Sequence, residues 1–192
     1  MDKPKTICAI DASTNSLAFA VISTDAPKET RLESFGKINF EGSTNYEKVM
    51  DACKKSKAFF DYYGGFDAIV IEHTVFMNSP KVAADLALVQ GALLGAAGLA
   101  GTKRIGTVSP ITWQMYIGNG KITKDEKAYI KSAKPGMSES WYKTFERNVR
   151  KQRTIDFVNE TFEKNIVDND VADACGIAYW SIHNIEKAFQ NG

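Results

Sequence analysis

Histidine and cysteine are scarce in this chain, with two His and three Cys among 192 residues. Cys8, Cys53 and Cys175 are odd in number, widely separated and set among apolar neighbours. That pattern spells out neither a disulfide framework nor a zinc site, and reduced core thiols are expected. No Ser, Cys or Thr stands in an evident nucleophile–base arrangement, so chemistry through a covalent intermediate has no obvious carrier. Long apolar runs are also missing. Residues 86–100 form the most apolar stretch, short for a membrane span and rich in Gly and Ala. A buried helix packed closely on a sheet is the expectation, with no membrane partner. The start, Met1-Asp2-Lys3-Pro4-Lys5, has none of the apolar character of a signal peptide.

What is present describes a globular protein: 44% hydrophobic and 24% charged residues, enough to build a real core in one domain spanning residues 1–192. The net charge of +1 conceals an asymmetry, because residues 121–153 carry ten Lys and Arg against four acids. The rest of the chain is therefore net acidic. A basic segment at about residues 121–150 beside acidic clusters suits a polyanionic partner.

Hydrophobic periodicity gives the order of elements. Residues 6–10 and 17–22 read as a hairpin around a small polar turn, and the alternation over 32–40 supplies a third antiparallel strand. Residues 45–63 have near-helical apolar spacing (Tyr46, Val49, Met50, Cys53, Phe60) and stop at Gly64-Gly65. The β-branched run at 68–71 marks a buried central strand. A helix over 80–99, a strand over 104–108 and a helix from Pro110 to Ile117 follow. Residues 121–140 look least regular, 139–162 look helical, and a last helix begins near Asp170. The sum is an α/β layer with a mixed five-stranded sheet flanked by helices.

Four carboxylates lie against apolar runs in three separated places: Asp11 after Cys8-Ala9-Ile10, Glu72 after Ile69-Val70-Ile71, and Asp170 with Asp173 at the head of the last helix. A buried carboxylate is costly unless paired, hydrogen-bonded or bound to a cation. Asp11 alone fits a turn or N-cap, and Asp170 or Asp173 alone fits a helix cap. Glu is a poor strand terminator, however, and Asp170 and Asp173 at i and i+3 share a helical face. If the first and fourth strands are neighbours, Asp11 and Glu72 stand side by side and the last helix brings the other two across them. All-oxygen donors favour Mg²⁺, with Mn²⁺ as a substitute, over zinc. Two such ions roughly 4 Å apart would activate a water and stabilise the leaving oxygen of a phosphodiester.

Four motifs carry a family resemblance. Ala9-Ile10-Asp11-Ala12-Ser13-Thr14, Ile71-Glu72-His73-Thr74-Val75-Phe76-Met77, Gly118-Asn119-Gly120-Lys121 and Asp170-Val171-Ala172-Asp173-Ala174 resemble, in order, those of RuvC-type Holliday junction resolvases. The resemblance implies a ribonuclease H-like fold, a homodimer, Mg²⁺ dependence and paired nicks across a four-way DNA junction. The reduced core thiols point to a cytoplasmic protein, bacterial or in the host if phage-encoded. By motif, Asp11, Glu72, Asp170 and Asp173 are the metal-binding acids, and Lys151 matches a basic residue near the scissile phosphate. Phe76 lies one residue from the position of a junction-opening aromatic, a place Val75 or Met77 can share. Glycines common after the first acid are replaced by Ala18 and Ala20. The span from Gly118 to Lys151 is longer than in the cellular bacterial enzymes and resembles the bacteriophage branch.

Lys121, Lys124, Arg147, Arg150, Lys151 and Arg153 are the candidate DNA phosphate contacts. Trp141 and Phe145, at i and i+4, are expected in the core, with base stacking as the other use. His73, next to Glu72, is expected on the opposite strand face and structural. Gly91, Gly95 and Gly98 suggest close helix packing, in the core before a partner subunit. Three other readings stand beside the resolvase: a broader flap or fork nuclease, a junction-binding module without catalysis, and an actin-like phosphotransferase. The last rests on the faint phosphate-hairpin character of Asp11-Ala12-Ser13-Thr14.

Overall fold

A computed structural model describes residues 3–27, 31–73 and 79–190. The chain runs β1 (Thr6–Ala12), β2 (Ser16–Ser23), β3 (Leu32–Asn39), α1 (Asn45–Tyr62), β4 (Ala68–Glu72) and α2 (Pro80–Leu99). It continues through β5 (Ile105–Val108), α3 (Pro110–Tyr116), α4 (Lys124–Ala133), α5 (Glu139–Phe162), α6 (Asn169–His183) and α7 (Ile185–Ala188). The five strands lie in the order β3-β2-β1-β4-β5. β1, β2 and β3 are antiparallel neighbours, while β4 and β5 join β1 in parallel. The mixed five-stranded sheet expected from the periodicity is the one observed.

Both faces of the central strands are covered, which is why β1 and β4 read as continuous apolar runs rather than alternating ones. Successive side chains still point to opposite faces. Cys8, Ile10, Ile69 and Ile71 pack beneath α1 and α2 with Phe60, Val89 and Leu93. Ile7, Ala9, Ala68 and Val70 pack on the other side, beneath α5 and α6, with Val158, Phe162 and Ile177. Asp11 and Glu72 continue the second series, so parity alone assigns both acids to the α6 face.

Helix α6 is buried along most of its length, from Val171 to Ser181. It lies close to Trp113 of α3: a Cβ on Gly176 would stand 2.7 Å from the indole Cζ3. Glycine is what lets helix and ring approach.

Several expectations change. Residues 121–140 are not irregular, because α4 forms there, opened by a capping box in which Thr123 and Glu126 exchange side-chain-to-backbone bonds. The buried face of α1 holds Ala52, Ser56 and Phe60, while Tyr46, Met50 and Cys53 are exposed. Burial pushes the Cys8 and Cys175 thiols up, as core thiols require. Helix α2, at 20 residues, is the one described helix long and apolar enough to cross a membrane by length and composition. Here Leu86, Val89, Leu93, Ala96 and Ala97 are its buried side, packed against α1 and the sheet. Gly91, Gly95 and Gly98 are not core residues, since a Cβ on each would meet nothing within 4 Å.

Candidate active site

Asp11 lies inside β1 rather than in a turn or at a helix cap. Ile10 of β1 stands opposite Ile71 of β4 in the parallel pair, so Asp11 and Glu72 follow as the next residues of neighbouring strands. On the other side, Asp11 pairs with Ala18 of β2, and Ala18 pairs with Lys37 of β3. One row across four strands thus reads Glu72, Asp11, Ala18, Lys37, all on the α6 face. Ala18 leaves room between the acids and the lysine.

The N-terminus of α6 meets this row. Its cap is Asp168, whose Oδ1 accepts from the N–H groups of Asp170 at 2.8 Å and Val171 at 3.2 Å. With the cap filled by Asp168, the side chains of Asp170 and Asp173 are free for other partners. Lys37 Nζ bonds Asp170 Oδ2 and reaches Asp168 Oδ2 at 3.3 Å. Glu72 Oε2 accepts from the buried indole Nε1–H of Trp113 at 2.6 Å, and its backbone carbonyl accepts from Gln90 of α2 at 3.1 Å.

Electrostatics identify the row as charge-stressed. Burial, followed by the charges of Glu72, Asp173 and Asp170, holds the Asp11 carboxyl well above the usual carboxylate range, with Lys37 opposing. Burial raises Glu72 against the Trp113 hydrogen bond. Asp173 is pushed up to about 7 by burial and then by Glu72 and Asp170, against Lys151 and the Thr154 hydroxyl. Carboxylates that repel one another at a shared site are relieved by a cation. The donors are all oxygen, which fits a hard divalent ion. As the side chains stand, no three or more Asp, Glu, His or Cys among the described residues form a ready ligand group. In this arrangement Asp170 is bonded to Lys37 and Glu72 to Trp113.

Beside the acids opens a cleft of about 250 Å³ lined by Asp170, Asp173, Lys151, Arg150 and Arg147. A second cleft of about 320 Å³ shares Arg147 and Arg150 and continues to Lys121, Lys127 and Lys143. Four expected phosphate contacts, Lys121, Arg147, Arg150 and Lys151, therefore lie on one track leading away from the acids. Lys124, the exposed first residue of α4, lines neither of these two clefts. Arg153 bonds Glu126, fastening α4 to α5. The Thr123 N–H, then Arg153, hold the Glu126 carboxyl down at about 2.

Asn119 anchors the start of the track. It is buried, and its Nδ2 donates to the Arg150 carbonyl at 2.7 Å and to Thr154 Oγ1 at 2.8 Å. Trp141 and Phe145 are not in the core; both are half-buried and stack with centroids 5.1 Å apart. His73 donates its backbone N–H to the Val108 carbonyl at 2.8 Å, and its side chain lines a separate cleft of about 670 Å³ with Ser109, Trp180 and Lys187. His183 packs against Tyr116 and Tyr179, away from the acids. The turn after Asp11 uses Ser13 Oγ to accept from the Asn15 and Ser16 N–H groups, which spends the phosphate-hairpin resemblance on closing β1–β2. Phe76, with Val75 and Met77, lies outside the described residues.

Sequence pattern does not mark Lys37, Trp113 or Thr154 as site residues. Asn119 is marked only by its place in the Gly118-Asn119-Gly120-Lys121 motif, and Asp168 only by standing two residues before Asp170 at a helix start.

No protein-family model and no curated protein matches the chain. Solved structures do match its fold. Thermus thermophilus RuvC in complex with a Holliday junction substrate superposes with a TM-score of 0.66 at 14% identity, covering 96% of this chain and 98% of that one. A second Thermus thermophilus RuvC structure gives 0.65 at 14% identity with the same coverage. The yeast mitochondrial Holliday junction resolvase Ydc2 gives 0.54 at 10% identity, over 92% of this chain and 78% of that one. The chain has the ribonuclease H-like fold of these proteins.

Proposed function

We propose that this protein is a metal-dependent DNA endonuclease that resolves four-way junctions. What supports the reading is that Asp11 feels the charges of Glu72, Asp170 and Asp173, from three separate stretches of chain, and that Asp170 and Asp173 line the head of a basic track. A binder of anionic DNA gains nothing from buried negative charge at its contact surface, whereas metal-assisted phosphodiester hydrolysis requires it. The fold shared with RuvC, solved with a junction substrate, supports the substrate class.

The four acids would hold two divalent ions, Mg²⁺ or Mn²⁺, which supply an activated water and neutralise charge at the leaving 3′ oxygen. Glu72 is oriented by Trp113, and Asp170 and Asp173 are presented by α6 once Asp168 has capped it. Lys151, beside Asp173, binds the phosphate that enters the acid row. Arg147, Arg150 and Lys121 hold the strand that leads away from it, fixing register by charge.

Paired nicks require two copies of the site. The exposed side of α2 supports a homodimer: Ala84, Leu88, Gly91, Gly95 and Gly98 recur at three- and four-residue spacing, all uncovered or only partly covered. A sedimentation mass of one chain would remove the dimer from the proposal.

The deciding experiment is a panel of four-way junction, flap, fork and linear duplex with Mg²⁺, products mapped on every strand. Symmetric nicks confined to the four-way junction are expected. Equal cutting of flaps and forks would leave a broader branched-DNA nuclease, and a shifted junction without nicks would leave a binding module.

A further inference from the structure

Lys37 lies on the exposed side of the edge strand β3, where a lysine is a common device against edge pairing. Its register nevertheless puts it in line with Ala18, Asp11 and Glu72, and its ammonium lies against Asp170 and Asp168 at the head of α6. The side chain is 27% exposed, and Asp170 and Asp168 are 39% and 43% exposed, so the pair sits at the open side of the site. On the other side of the acids, Lys151, Arg150 and Arg147 line the basic cleft with Asp170 and Asp173, and the charge of Lys151 acts on Asp173.

We propose that Lys37 is a positioning residue that latches Asp170 in the metal-free protein and must release it when the site fills. The inference rests on the two-metal reading of the acids. An ammonium bonded to Asp170 Oδ2 takes the oxygen a cation needs and adds positive charge beside the place where that cation would lie. The same contact keeps the crowded carboxylates tolerable while no ion is present. Lys37 is therefore a built-in competitor: it offsets the charge of the acids where no cation does so and raises the metal concentration at which the site loads.

An ion pair this exposed changes an equilibrium by up to about fivefold. Removing a positive charge next to a divalent ion adds to that, so about a tenfold gain in metal affinity is expected for Lys37→Met. Lys37→Arg, which keeps the charge, should stay within about twofold of wild type.

The test is calorimetric titration of Mn²⁺ into wild type, Lys37→Met, Lys37→Arg and Asp11→Asn, without DNA. Tighter binding by Lys37→Met, with a larger gain in melting temperature on adding Mg²⁺, supports the latch. Equal or weaker binding by Lys37→Met, while Asp11→Asn loses binding, overturns the latch and leaves the metal site standing. No Mn²⁺ binding by wild type, or wild-type binding by Asp11→Asn, overturns the site and the latch together. NMR of ¹⁵N-labelled lysine ammonium groups gives a second readout: the Lys37 signal should shift or exchange away on saturation with diamagnetic Mg²⁺. A signal unmoved by saturating Mg²⁺ would overturn the release step.

Discussion

The indole of Trp113 donates to Glu72 across 2.6 Å, joining a short helix after β5 to the acid at the end of β4. The same ring lies against Gly176, three residues beyond Asp173 on α6. One buried aromatic thus fixes the orientation of Glu72 and the depth at which α6 sits over the sheet. Its N–H favours the ionised carboxylate, in opposition to burial.

Trp113→Phe removes that donor and keeps most of the ring. Glu72 should then rise further, so Mg²⁺-dependent nicking should reach its plateau at a higher pH than in wild type. Stability should fall by about 1–2 kcal/mol from the lost bond and imperfect packing. A pH–rate profile beside urea melts checks both. An unmoved profile would show that the indole has no hold on Glu72.

Asp11→Asn and Glu72→Gln preserve size and remove one carboxylate from the row. Nicking of a four-way junction should drop by about a thousandfold or more, while junction binding in a gel shift stays near wild type. Wild-type cleavage rates in either variant would sink the assignment of these acids.

The crowding at Asp173 makes metal-free stability depend on pH. Its carboxyl rises from 3.8 to about 7 on folding, so the folded state binds the proton more tightly than the unfolded one. The resulting stabilisation is full below about pH 4 and is lost as pH rises through about 7. Asp173→Asn should therefore match wild type near pH 4 and exceed it by about 2 kcal/mol at pH 8 in chelator, a figure reduced for partial solvent screening. Denaturant melts at the two pH values measure the difference. A variant less stable than wild type at pH 8 would contradict the assigned burden on this acid.

Lys121 and Arg147 lie on the track beyond the acids, whereas Arg153 is committed to Glu126. Lys121→Ala and Arg147→Ala should each lower the slope of log K against log salt by about 1. Arg153→Ala should leave the slope nearly unchanged while loosening α4. Fluorescence anisotropy with a labelled junction over a salt series separates the two classes.

Much of this was legible in the chain because it is written in local periodicity. Parity along β1 and β4 assigns Asp11 and Glu72 to one face, and the 3.6-residue period puts Asp170 and Asp173 on one side of α6. Helix α4 escaped because its apolar positions are few and none is buried, although its Thr123–Glu126 capping box was present in the letters. Trp141 and Phe145 read as core residues because spacing reports which side chains share a face, and the protein covers that face only in part. Lys37 and Trp113 had no pattern of their own to announce them; they act through partners 133 and 41 positions away.

The sequence by itself determined the strand order, every helix but α4 and the short α7, the mixed sheet, and the face on which Asp11, Glu72, Asp170 and Asp173 stand. Those follow from short-range rules of pleat and helical turn. Only the tertiary structure decided what surrounds the acids: Lys37 latched on Asp170, Trp113 bonded to Glu72, Asp168 filling the cap, and Arg153 spent on Glu126. These are choices among partners that a lysine, an indole or an arginine makes by distance and burial, and residue type and spacing do not encode them. The row of carboxylates was written in the chain; the charges and donors that hold it in check were fixed by folding.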